Sequence, residues 1–246
     1  MSIIEAIALL ITLSITYVLR MDRRVGGTRE QFVDAAQRLL NEHGPGQLTV
    51  RAIAEAAGAS TMGVYTGFGS RSGMLEALYL RGFALLRAEF DAMDPPARPQ
   101  DGILDLCLAY RRFALANPAM YAFLFERPLP DFDPDPAVRN EALRTTFDVL
   151  VDAVRLAVAE RVLPDRDPVP TSYLIWSAVH GSVSLELTHA ARRPLPGWVV
   201  TPQASEAALR ELVQALLRGL ASGTSPYPLD LHEEGAPHRL ARDPFW

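Results

Sequence analysis

The sequence predicts an all-α chain: a three-helix head bearing a helix-turn-helix, then a larger helical body, about nine helices in all. Three observations carry that expectation. Apolar residues recur at i, i+3 and i+4 in nearly every segment between turn residues. Those segments are separated by glycines and prolines, and no run alternates polar and apolar residues as a strand would. Between Thr49 and Arg71, the stretch TVRAIAEAAGASTMGVYTGFGSR reads as two short helices around a glycine corner.

The head opens with Phe32, Ala35, Ala36, Leu39 and Leu40 on one face, with Thr28 as a candidate cap and Gly44 as a stop. Val50, Ile53, Ala54 and Ala57 give the next apolar face, capped by the Thr49 hydroxyl. Gly58 follows, where a helix commonly ends in the left-handed region that glycine enters without a Cβ penalty. Ser60 or Thr61 caps a further helix whose inward residues are Val64 and Phe68. Ala54, Gly58 and Val64 then serve as close-packing residue, corner and plug of a helix-turn-helix.

Downstream, Gly73 to Met93 continues as one helix and stops at Asp94-Pro95-Pro96. A helix from about Asp101 to Ala116 is broken by Asn117-Pro118, and a short one runs on to Phe125. Arg127 to Pro136 is a proline- and aspartate-rich loop. Further helices are expected over Ala137 to Val162, Thr171 to Ala191 and Ser205 to Ala221, with prolines in the joints. The tail after Ala221 is polar and aperiodic and is expected to be mobile. The expected domains are an N-terminal extension and arm (1–27), the head (28–73), the body (74–221) and the tail (222–246).

Net charge is −5 and unevenly placed. Residues 21–90 hold eight arginines against seven carboxylates, and residues 91–246 hold 15 against 21. Such a distribution weakly orients the head towards a polyanion and keeps the body off it. The single cysteine, Cys107, lies among leucines, forms no intrachain disulfide and suits a reducing cytoplasm. The run from Ile3 to Leu19 carries one charge, Glu5, and is followed by Arg20, Arg23 and Arg24. It reads as a mis-called start before Met21, or as a membrane anchor that leaves the body in the cytoplasm. As a cleavable signal peptide it is poor, since the charge follows the apolar run.

In a helix-turn-helix the second helix enters the major groove. Thr61, Met62, Gly63 and Thr66 are the outward positions, where threonine meets base edges, Met62 a thymine methyl, and Gly63 allows close backbone approach. Thr49, Arg51, Tyr65 and Arg71 are candidate phosphate contacts, which fix register without reading sequence. The plainer alternatives are a simple cap for Thr49, a half-buried wedge for Tyr65 and a solvated charge for Arg71.

The arrangement over about Thr28 to Leu80 resembles the DNA-binding domain of the TetR (tetracycline repressor) family, with Tyr65 and Phe68 matching the end of its recognition helix. Gly67 stands where that pattern has His or Tyr, which removes a phosphate contact, and Arg71 stands for its Lys, which keeps the charge. Trp176, His180 and Gly181, in YLIWSAVHGSVSLELTH, resemble a WHG-type C-terminal domain of such regulators, as does Asn117 to Phe125. The resemblance implies a homodimer on an inverted-repeat double-stranded operator, and a cavity for an inducing ligand among helices four to eight. Tyr110, Phe113, Met120, Tyr121, Phe123, Phe125, Trp176 and His180 are then pocket candidates; as plain core they need no ligand. With no inward arginine expected in the helices around it, the effector is expected to be hydrophobic or aromatic.

Enzyme chemistry finds no support: no phosphate loop follows a strand, no His-Glu-x-x-His or paired cysteines occur, and Cys107 has no histidine nearby in sequence. No cofactor and no metal are expected. The expectation is a cytoplasmic, ligand-released repressor. The alternatives are a membrane-tethered sensor, or a helical ligand-binding protein with weak DNA affinity.

Overall fold

The computed structural model of the chain describes residues 29–190 and 201–223. Met1 to Arg20, the Thr28 cap and the tail from residue 224 onward lie outside them. Among the described residues the regular structure is helical throughout: α1 (29–43), α2 (Val50–Ala56), α3 (Thr61–Phe68), α4 (Arg71–Asp91), α5 (Pro99–Ala116), α6 (Pro118–Phe125), α7 (Pro136–Ala159), α8 (Pro168–Ala190) and α9 (Pro202–Ala221). A single 3-10 turn, Pro45–Gln47, joins α1 to α2.

Four helices start earlier than expected for one physical reason. Pro99, Pro136, Pro168 and Pro202, which lie outside the expected helices, are first-turn residues that each open one. The first turn has no internal partner for its amide, so proline loses nothing there and brings a helical φ. Asp135, Asp167 and Thr201 complete three of these starts, accepting from the amides of Ala137 (2.8 Å), Val169 (3.0 Å) and Ala204 (3.1 Å). At its other end α7 stops at Ala159, short of the expected Val162, where Arg161 takes a φ of 58°.

Two compact units form, the first from residues up to Arg81 with Phe125–Pro134, the second from Gly82–Leu124 with the chain from Asp135 onward. In the first, Phe32, Leu40, Leu48, Ile53, Val64, Met74, Leu75 and Leu78 are fully buried. Each such side chain contributes about 1.5–3 kcal/mol through burial. The loop between α6 and α7 belongs to this unit, anchored by the buried Leu129, Phe132 and Pro134.

In the second unit α5 is central, packed against α7, α8 and α9, with α7 on α8 and α8 on α9. Ile103, Phe113, Tyr121, Val154, Ile175, Val183, Leu209 and Val213 form its core. Cys107 is buried there, and burial pushes its thiol up to about 12, which leaves it an inert apolar filler. Arg111 is buried as well, contrary to the expectation of no inward arginine in these helices. It donates from Nε and Nη2 to Glu186 of α8 (2.8 and 2.7 Å) and from Nη1 to Glu206 of α9 (3.1 Å).

Candidate nucleic-acid interface and aromatic cluster

The helix-turn-helix is built as its residues require. Thr49 accepts from the Ala52 amide at 3.2 Å and opens α2. Gly58, at φ 64°, makes the corner, and the Ala59 amide returns to the Ala54 carbonyl at 2.9 Å. Val64 is fully buried behind the turn. That seats α3 so that Thr61, Met62, Tyr65 and Thr66 are exposed on one side, Met62 by 68% and Tyr65 by 50%.

Gly63 does not join them. A Cβ there would lie 2.8 Å from Cζ of the fully buried Phe32, so this half-buried glycine lets α3 close onto α1, a packing role the periodicity does not show. Beside Gly67 lies Arg29, which the sequence reading had not singled out. It donates to the Gly67 carbonyl, and its guanidinium stands 4.4 Å above the Phe68 ring. A cation at the carbonyl end of α3 meets the negative end of the helix dipole.

α3 itself carries no charged side chain, so positive charge must come from its neighbours. Arg51 is exposed in the first turn of α2 and makes no hydrogen bond or ion pair among the described residues. Arg71 is more engaged: Nε donates to the Leu48 carbonyl (3.0 Å) and Nη1 to Asp131 Oδ2 (2.8 Å). Its guanidinium therefore lies beside the start of α2, next to Thr49.

In the second unit four of the pocket candidates converge. The Tyr110 and Tyr121 hydroxyls both reach His180 Nδ1, at 2.8 and 2.9 Å. The His180 ring stacks on Tyr121 at 5.6 Å and lies 5.6 Å from Trp176. One imidazole nitrogen offers either one lone pair or one proton, so the two hydroxyls share a single place at Nδ1, where a neutral ring accepts from one of them at a time. Burial holds His180 below its ordinary pKa, which favours that neutral form. Burial likewise pushes the Tyr110 hydroxyl well up, with the neighbouring Tyr121 adding to it, so the donor keeps its proton.

Phe113, Met120 and Phe123 are buried in the same unit, whereas Phe125 is half-buried and clusters with the first unit. Two rings outside the expected set join Trp176 edge-on: Phe147 at 6.2 Å and Tyr173 at 6.0 Å. Tyr173 stands three residues before Trp176, a spacing that could have flagged it.

The outward side of α8 and α9 is small and apolar. Leu174, Ser177, Gly181 and Leu185 line α8, and Ala208, Leu212, Ala215 and Gly219 line α9. Leu185 is 62% and Leu212 37% exposed. Of the apolar residues of α9, Leu209, Val213 and Leu220 are buried within the chain's own fold, and Leu216 and Leu217 are half-buried. At Gly181 a Cβ would meet nothing within 4 Å, so packing among the described residues does not require this glycine.

Among the described residues no His, Cys, Asp or Glu group could hold a metal ion, and no helix is long and apolar enough to cross a membrane. Comparison with known proteins agrees with the geometry. Residues 32–78 match bacterial regulatory proteins of the tetR family, and residues 103–216 match the tetracyclin repressor-like C-terminal domain. An HTH-type transcriptional regulator of Mycobacterium tuberculosis is 26% identical over 199 residues, 67% of this chain and 85% of that one. A protein of unknown function from Rhodococcus sp. RHA1 superposes with a TM-score of 0.64 at 24% identity, covering 79% of this chain and 95% of that one. The fatty acid degradation regulator FadR from Bacillus halodurans gives 0.61 at 18% identity, over 77% and 94%, which shows a shared fold. A helix-turn-helix head, a helical body and two family matches that together span most of the described chain lead to one assignment: this protein belongs to the TetR family of transcriptional regulators, which are not enzymes.

Proposed function

We propose that the protein is a homodimeric cytoplasmic repressor that binds an inverted-repeat operator and is released by a small, uncharged hydrophobic or aromatic effector. The observation that carries the DNA-binding part is the exposed side of α3, where Thr61, Met62, Tyr65 and Thr66 stand clear of the core. Thr61, Met62 and Thr66 read base edges, while Tyr65, Thr49, Arg51 and Arg71 hold phosphates. Two heads must sit about 34–36 Å apart, or a multiple of that, to enter successive major grooves. The small apolar face on α8 and α9 is the surface on which a second copy is proposed to seat.

The effector reading rests on the ring cluster of Tyr110, Tyr121, Trp176 and His180, which joins apolar walls to a few polar atoms. Arg111 is matched by Glu186 and Glu206, so it supports no acidic ligand. An effector releases DNA only by preferring a state whose heads do not fit the operator, and only by the margin of that preference.

Selection from random duplexes tests the reading. An inverted repeat should emerge, and footprints on it should weaken when an aromatic effector is added. Recovery of a single half-site, or of no duplex, would overturn it. Exchanging Thr61, Met62 and Thr66 should re-rank the selected sequences instead of lowering all affinities alike.

A further inference from the structure

We propose that Asp131 is an intramolecular stand-in for a DNA phosphate, setting operator affinity by holding Arg71 until a phosphate displaces it. This rests on the reading of the head as a DNA-binding unit. Arg71 opens α4 just after the recognition helix ends at Phe68. Its Nε is spent on the Leu48 carbonyl, 3.0 Å away, which fixes the guanidinium beside the first turn of α2. Asp131 Oδ2 lies 2.8 Å from Nη1, on the remaining side of the fork. Guanidinium meets carboxylate and phosphate oxygens in the same planar, charge-assisted geometry, so the two anions compete for one place.

The segment that delivers Asp131 is built to present it. Phe125–Pro134 clusters with the head, held by the buried Leu129, Phe132 and Pro134, while Asp131 and Asp133 face outward. Asp133 pairs with Arg127 at 3.4 Å within the segment, and Asp131 reaches across to Arg71. The pair is open to solvent, its side chains 29% and 68% exposed for Arg71 and Asp131. A pair of that kind shifts an equilibrium by a factor of about two to five, so it competes with phosphate without locking Arg71 away.

Anisotropy titrations of the full chain, on a duplex of about 30 base pairs selected by the wild type and on a scrambled one, test this. Asp131→Asn should raise affinity about two- to fivefold per head on both duplexes. It should steepen the salt dependence by up to about 0.9 per head, since no carboxylate is left behind to recapture a cation. In an Arg71→Ala background the same change should give no gain, and Asp133→Asn in the wild type should give less. An equal gain without Arg71 would show that Asp131 acts by long-range repulsion, and a loss of affinity would show that the contact only braces the head; either overturns the proposal. If selection with neither the wild type nor Asp131→Asn returns a bound duplex, the DNA-binding reading falls and this one with it. Binding without the coupled gain removes the Asp131 proposal alone.

Discussion

Arg111 of α5 and Glu186 of α8 meet as a two-bonded ion pair, their side chains only 6% and 10% exposed. Glu206 of α9 takes a further guanidinium proton at 3.1 Å, so a single arginine ties three helices of the body. A buried pair is costly to break because one charge is left without a partner. Arg111→Met should therefore destabilise the protein by about 3–5 kcal/mol, and adding Glu186→Met should recover most of that loss. Urea midpoints for the single and double variants check the claim. A single variant within about 1 kcal/mol of the wild type would mean that water reaches Glu186 easily.

The helix-turn-helix was legible because its parts are local. Thr49, Gly58 and Val64 do in the structure what their spacing suggests, since capping, turning and plugging involve near neighbours. What stayed hidden depends on pairs far apart in the chain. Nothing near Arg111 announces Glu186, and nothing near Arg71 announces Asp131. The packing of Gly63 on Phe32 is hidden for the same reason, since that neighbour across the fold is invisible to periodicity. Helix starts run earlier than periodicity implies where a proline takes the first turn, because it adds no apolar face to the pattern. Of the proposed pocket, Trp176 and His180 were legible as a pair four apart on one helix, whereas the Tyr110 and Tyr121 hydroxyls meet His180 only through the packing of three helices.

His180 gives stability a pH dependence of defined sign. Burial lowers its pKa in the folded state below 6.5, so as pH falls the unfolded chain takes up the proton first. The associated stability is fully present above that value and is lost as pH falls through 6.5 towards the folded pKa. Asp101 and Glu206 are held low by hydrogen bonds from Arg98 and Arg210, and their contributions fade only below about 4. Melting temperatures of the wild type should thus fall between pH 7.5 and 5.5, roughly the histidine range. His180→Gln should flatten that slope. An unchanged slope would place its origin elsewhere.

Gly63 and Thr66 separate packing from recognition on one short helix. Gly63→Ala drives a methyl into the buried Phe32 ring, which must shift to admit it, and should cost about 1–3 kcal/mol. Thr66→Ala is exposed and should leave stability within about 0.5 kcal/mol while altering which duplexes are selected. Thermal melts and duplex selection read the two effects independently. Loss of stability in Thr66→Ala together with unchanged preference would remove this residue from the recognition surface.

The α8–α9 face permits a dimerisation test that leaves the fold intact. Charging Leu220 would strike the chain's own core, since it is buried, whereas Leu185 and Leu212 stand out from the outward side. Leu185→Glu with Leu212→Glu should therefore keep helicity and melting temperature close to those of the wild type. If a second copy seats on this face, four carboxylates then meet across it without partners, and the dimer should dissociate. Half-sites one turn apart are bound together only by coupled heads, so the monomer should lose the inverted repeat and retain weak, salt-sensitive binding. Sedimentation fixes the outcome. A variant that remains dimeric at micromolar concentration would move the interface off α8 and α9, and a monomeric variant with undiminished affinity for the full repeat would sever dimerisation from operator recognition.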